Sequence, residues 1–155
     1  MTGRRILDVG AGTGAVAQHL TARGHQVRAL DPVPELDPSG RVEPGHLPRL
    51  PQRLGSYDCI LCLGVLHHLC PSDQIRALRS LSKHMTLGGH LVLALRHGAR
   101  SVHLGRWPVT VPCQLPPGLS IRHHTRRPSV QTGNRQAGVC WTWLVLRKAH
   151  HTATV

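Results

Sequence analysis

Residues 4–14 read Arg4-Arg5-Ile6-Leu7-Asp8-Val9-Gly10-Ala11-Gly12-Thr13-Gly14. The apolar run over 5–9 has the length of a short strand and ends in alternating glycines. Val16, Ala17 and Leu20 then follow at helical spacing within 14–23, and Gly24 suits the position just past a helix end. Residues 25–30 alternate well enough for a second strand. It stops at Asp31-Pro32, because proline restrains the residue before it and cannot continue a central ladder. The opening unit therefore reads strand, glycine turn, helix, strand.

The remaining elements extend this alternation. Residues 32–55 hold six prolines and three glycines, so a third strand there is short and at an edge, around 40–45. Tyr57–Leu63 is a continuous apolar run, the pattern of a parallel strand covered on both faces. Ser72 is placed to cap a helix over 73–86, with Ile75, Leu78, Leu81 and Met85 along one face and Gly88-Gly89 closing it. Strands are expected over 90–95, 119–125 and 139–147. Between them, 98–118 has four prolines and no helical period, which predicts a shortened or irregular crossover. Such an order implies an α/β fold with an open, doubly wound, mostly parallel sheet and helices on both faces. A chain of 155 residues accommodates one such domain over 1–155. It divides into 4–96, carrying the ligand turn, 97–148, with the irregular crossover and last two strands, and a tail over 149–155.

Composition limits the partners more than the fold. Nineteen Lys plus Arg against seven Asp plus Glu give a formal net charge of +12. The arginines are scattered without a run, so composition bias accounts for them as well as a polyanion-binding face does. No stretch approaches ~18 consecutive apolar residues, and residues 1–12 contain no leader-like apolar region, so a cytoplasmic protein is expected. The five cysteines read as free thiols. Cys59 and Cys62 form a C-x-x-C inside a strand, where residues three apart face opposite ways, and no second pair stands at ligand spacing. No metal site is expected, and His123, His124, His150 and His151 read as surface residues.

In a doubly wound sheet the ligand lies at the carboxyl ends of the strands, which here means the turn from Asp8 to Gly14. Gly10, Gly12 and Ala15 formally satisfy the dinucleotide fingerprint as well. Asp8 bears on the choice. A pyrophosphate at ~5 Å from it would meet a repulsion of ~3 kcal/mol at an effective dielectric near 20, whereas a cationic ligand would be favoured. Asp31, 23 residues further on, is able to accept hydrogen bonds from both hydroxyls of a ribose in either kind of nucleoside.

These residues resemble the class I S-adenosylmethionine-dependent methyltransferases, whose fold is Rossmann-like. Asp8-x-Gly10-x-Gly12-x-Gly14 is similar to the first motif of that family, Asp31 to its ribose-binding acid, and Tyr57–Leu63 with the loop 64–69 to its fourth strand and following loop. Residues 87–93 resemble its turn into the fifth strand. Residues 96–98, 129–139 and 141–143 resemble a bacterial branch of small methyltransferase-domain proteins. The resemblance covers 4–148 and implies that Cys-Trp-Thr-Trp-Leu-Val-Leu-Arg, 140–147, is an antiparallel last strand between the fifth and sixth. It implies S-adenosyl-L-methionine as cofactor. Gly10, Gly12 and Gly14 would pack against its methionine part, with Asp8 acting on the amino group and Asp31 on the ribose. Pro32 and Val33 would flank the adenine, and Leu63 would offer backbone to the amino-acid moiety or the nearby reaction space.

The sequence also departs from the family pattern. His46, in Gly45-His46-Leu47-Pro48, stands where the family often has an Asp against the adenine amino group. The chain starts at the first strand, so the N-terminal cap over the cofactor is expected to be missing, leaving room for a homo-oligomer or a partner subunit. His67 and His68, after the fourth strand, are the candidate catalytic bases. The alternative is that one packs half-buried and the other is solvated. Residues 63–66, Leu-Gly-Val-Leu, lack the Asn/Asp-Pro-Pro-aromatic motif of amino-methylating enzymes. A small-molecule acceptor is therefore favoured over nucleic acid. Arg122, Arg126, Arg127 and Arg135 read as solvated, with phosphate or an anionic substrate as their alternative role. The expected activity is methyl transfer to an unidentified small molecule. A catalytically degraded or partner-dependent relative is the alternative, and an NAD-dependent oxidoreductase is disfavoured by Asp8.

Overall fold

The computed structural model describes residues 3–98 and 107–149. Seven strands, β1 (Arg5–Val9), β2 (Gln26–Asp31), β3 (Val42–Pro44), β4 (Tyr57–Leu63), β5 (Met85–His97), β6 (Leu119–Pro128) and β7 (Cys140–Lys148), form one sheet in the order β3-β2-β1-β4-β5-β7-β6. The first five pair in parallel, and β7 runs antiparallel to both β5 and β6. Three helices, α1 (Ala15–Thr21), α2 (Pro71–Lys83) and α3 (Thr132–Gln136), complete the described elements with two single 3₁₀ turns. The third strand is the short edge strand that its prolines predicted. Residues 107–118 form no helix or strand. Part of the expected crossover, 99–106, and the tail 150–155 with His150 and His151 lie outside the described residues.

One face of the sheet carries the core. Leu7, Val9, Ile60, Cys62, Leu91, Leu93, Leu95, Leu144 and Leu146 pack there with Leu78 and Leu81 of α2. Burial removes Cys62 from thiol chemistry by pushing its pKa up to about 12. Asp8 faces the other way. In the ladder it stands opposite Leu61, then Val92 and Val145, and the next rung holds Leu63, Ala94 and Trp143. This second face is only half-covered along β4, β5 and β7.

Three details of α2 differ from expectation. Its N-cap is Cys70 rather than Ser72, because Pro71 occupies the first helical position, where proline fits and its missing N–H is not needed. Ile75 is exposed, since at 100° per residue Ala77, Leu78 and Leu81 share the buried arc and Ile75 lies outside it. The helix stops at Lys83 instead of continuing to Thr86. Tyr57 N–H donates to His84 O at 2.8 Å and Met85 already pairs with Tyr57, so Gly88 and Gly89 lie inside β5. The short α3 was not anticipated.

Candidate cofactor site

The turn after β1 is fastened to the end of β2 by backbone and by one carboxylate. Gly10 and Ala11 N–H both donate to Leu30 O, at 2.8 and 3.0 Å. Gly12 N–H donates to Asp31 Oδ2 at 2.8 Å, and Val33 N–H donates to Asp31 Oδ1 at 2.9 Å. Each carboxylate oxygen has a second lone-pair direction, so Asp31 can position the turn and still accept from a ligand. Gly10 has φ +77° and sits so close to the loop after β4 that an added Cβ would lie 2.3 Å from Val65 Cγ2. A Cβ on Gly12 would meet nothing within 4 Å, which places open space directly against the backbone of the turn.

Asp8 is the electrostatic centre of this turn. It is 3% exposed, and its Oδ2 has no hydrogen-bond partner among the described residues. Burial, and then the charge of Asp31, push its carboxyl up to about 6. A buried charged oxygen without a donor is costly, and a cationic donor relieves both the desolvation and the repulsion from Asp31. An anionic pyrophosphate would add a third negative group. The donor set therefore fits a ligand with a cationic head and a nucleoside diol.

The sequence reasoning missed Asp37. Its carboxylate accepts from Ser39 N–H and Oγ–H, Arg41 N–H and Val42 N–H at 2.7–2.9 Å, and these bonds hold its carboxyl down to about 2. An added Cβ at Gly14 would come within 3.4 Å of the Asp37 carboxyl carbon, so this acid buttresses the glycine turn. The signal was available in Asp37-Pro38-Ser39-Gly40, a turn sequence in which Asp bonds its own following backbone.

Asp8, Gly10, Gly12, Gly14, Asp31, Pro32, Val33 and Leu63 thus come together at the carboxyl ends of β1, β2 and β4. Pro32 and Val33 are exposed beside Asp31, and Leu63 is half-buried. His46 follows β3, also at this edge, where Gly45 N–H donates to Asp31 O; the His46 ring donates through Nδ1 to Leu47 O at 3.2 Å and is otherwise exposed. His67 and His68 occupy the turn after β4, with ring centroids 4.1 Å apart. His67 is buried and its carbonyl accepts from Trp107 N–H, whereas His68 is exposed. His123, His124, Arg122, Arg126, Arg127 and Arg135 are exposed. Among the described residues no group of three His, Cys, Asp or Glu could hold a metal ion, and no helix is long and apolar enough to cross a membrane.

A family model described as a methyltransferase domain matches residues 1–151. The chain belongs to the methyltransferase-domain family. Among its relatives in this family, an uncharacterized methyltransferase of Mycobacterium tuberculosis is 35% identical over 97 residues, covering 58% of this chain and 39% of that protein. A ubiquinone biosynthesis O-methyltransferase of Marinobacter nauticus is 32% identical over 110 residues, covering 61% of this chain and 44% of that protein. This methyltransferase domain therefore spans less than half the length of these relatives.

The fold is shared with solved methyltransferases at low identity. N-methyltransferase NodS from Bradyrhizobium japonicum, in complex with S-adenosyl-L-homocysteine, superposes with TM-score 0.69 at 16% identity, covering 96% of this chain and 80% of that one. The 1,6-didemethyltoxoflavin-N1-methyltransferase of Burkholderia thailandensis gives 0.66 at 16% identity, covering 96% and 72%.

Proposed function

We propose that this methyltransferase domain moves a methyl group from S-adenosylmethionine to a small-molecule acceptor. The observation that carries the reading is the buried Asp8 carboxylate, with an unpartnered oxygen beside a glycine turn that opens on free space. When bound, the cofactor would supply a methyl carbon on a sulfonium, which an acceptor's lone pair would take as the carbon–sulfur bond breaks and a neutral thioether is released. Asp8 holds the ammonium of the methionine part. Asp31 accepts from the ribose diol while its existing bonds to Gly12 and Val33 keep the turn in place. Pro32 and Val33 offer an apolar surface to the adenine, and His46 stands at the adjoining edge. Alignment of two bound reactants supplies ~7–11 kcal/mol of the barrier reduction, so no protein nucleophile is needed. The imidazoles of His67 and His68, on the loop after β4, are the proposed bases for the acceptor's proton.

The relatives' names support a small-molecule acceptor, since they refer to ubiquinone biosynthesis and to 1,6-didemethyltoxoflavin. Calorimetric titration with S-adenosylhomocysteine, with NAD as the control, tests the cofactor. Micromolar binding of S-adenosylhomocysteine alone is expected, and preference for NAD would sink the reading. Asp31→Ala is expected to weaken S-adenosylhomocysteine by about 1.5–3 kcal/mol through loss of charge-assisted hydrogen bonds. Unchanged affinity in the same titration would remove Asp31 from the site.

A further inference from the structure

The chain has three tryptophans, one tyrosine and no phenylalanine, and its core is almost wholly aliphatic. None of the three tryptophans belongs to that core, and two of them, Trp141 and Trp143, stand together. They line one hollow of about 500 Å³ on the half-covered face of the sheet, and Trp143 remains 37% exposed. Leu63 and Ala94 form the floor, in register with Trp143 across β4, β5 and β7. The volume is that of a site for a small organic molecule.

Position ties the hollow to the cofactor turn. Leu63 ends β4, two residues past Leu61, which pairs with Asp8 of β1 across the ~5 Å between neighbouring strands. Trp141 closes against the next residue, since an added Cβ at Gly64 would be 3.2 Å from its ring. The residue after that, Val65, packs on Gly10. The lining contains a single charged side chain, Arg127, which stands opposite Trp141 in the β6–β7 ladder.

We propose that this hollow is the acceptor site and that it takes a flat aromatic acid. The ring lies on the indole faces of Trp141 and Trp143, and its carboxylate pairs with the Arg127 guanidinium. Planar walls favour a planar ring over a puckered one of equal area. A guanidinium with no acid beside it in the lining favours an anion and supplies a two-pronged donor. The word acceptor rests on the methyl-transfer reading, whereas recognition of the ring and its charge rests on the hollow alone.

The test measures binding of 2-naphthoate to the full chain by calorimetry, with and without S-adenosylhomocysteine. Decahydro-2-naphthoate, which has the same skeleton without the flat ring, and uncharged 2-naphthalenemethanol serve as controls. The expected result is that 2-naphthoate binds at least severalfold more tightly than its saturated counterpart. Arg127→Gln is expected to weaken 2-naphthoate about tenfold and leave 2-naphthalenemethanol within about twofold. Trp143→Leu should weaken both aromatic ligands and leave S-adenosylhomocysteine affinity unchanged. Arg127 is exposed, so Arg127→Gln keeps the test decisive even where a tryptophan variant fails to fold. Equal binding of the flat and saturated acids, or no effect of Arg127→Gln, overturns the proposal. Absence of 2-naphthoate binding beside intact S-adenosylhomocysteine binding overturns this site while leaving the methyl-transfer reading in place. The reverse pattern supports the aromatic-acid site and removes its role as acceptor site.

Discussion

Gly10→Ala is expected to lower folding stability by about 2–5 kcal/mol and to raise the Kd for S-adenosylhomocysteine at least a hundredfold. Two separate costs add. A side chain at φ +77° is strained by roughly 1–2 kcal/mol, and a methyl group 2.3 Å from Val65 Cγ2 forces an overpacked contact costing about 1–3 kcal/mol. The two are separable by experiment. Gly10→Ala combined with Val65→Ala removes the clash and keeps the strain, so the double variant should recover roughly half the loss beyond what Val65→Ala costs alone. Denaturant unfolding of the four proteins measures this, and strict additivity would show that Val65 does not press on the turn.

The second large effect has opposite signs for stability and binding. The Asp8 carboxyl is pushed from 3.8 to about 6 in the folded chain by burial, and secondarily by Asp31. Between these values the folded state holds more protons than the unfolded state. Stability therefore falls as pH rises from about 4 through 6, and the loss is complete above that window. A shift of this size corresponds to about 3 kcal/mol for a buried group. Asp8→Asn removes the charge and keeps the shape. It is expected to stabilise the ligand-free protein by about 1–3 kcal/mol at pH 8, to change it little at pH 4, and to weaken S-adenosylhomocysteine at least a hundredfold. For the parent chain, affinity should rise with pH through 6 as the carboxylate becomes available to the ammonium. Denaturant titrations at pH 4, 6 and 8 with calorimetry provide the check. An Asp8→Asn protein that is less stable at pH 8, or that binds as before, would show that the acid serves the fold instead of the ligand.

What could be read from the sequence was what local rules decide. The β1–turn–α1–β2 unit is marked by an apolar run, glycine punctuation and a proline stop, all within 28 residues of one another. The acids at positions 8 and 31 follow from the same unit, as does the choice of a cationic over an anionic ligand. The end of α2 was not readable in this way. It is set by the pairing of Met85 with Tyr57, an interaction across 28 positions that competes with continued helix. Thr132–Gln136 is too short to show a helical period. Asp37 was overlooked because three of its partners lie at Ser39, Arg41 and Val42 and become a cage only when the loop folds back. Trp141 and Trp143 were recognisable as strand residues, but which side of β7 stays half-covered depends on where the helices lie, and no strand pattern states that.

Helix α1 follows directly on the glycine turn, with Gly14 as its N-cap, yet it buries none of its own side chains. Local opening free energies scale with buried apolar contact, so this seven-residue segment belongs, with α3, among the least protected of the described elements. Its amide protons are expected to exchange with deuterium well before those of β4 and β5, and to slow sharply once a ligand bridges Asp8, Gly12 and Asp31. Part of the intrinsic binding free energy then goes into fastening the helix, and measured affinity understates the contacts made. Any residue that anchored α1 independently of ligand would tighten binding without touching the cofactor.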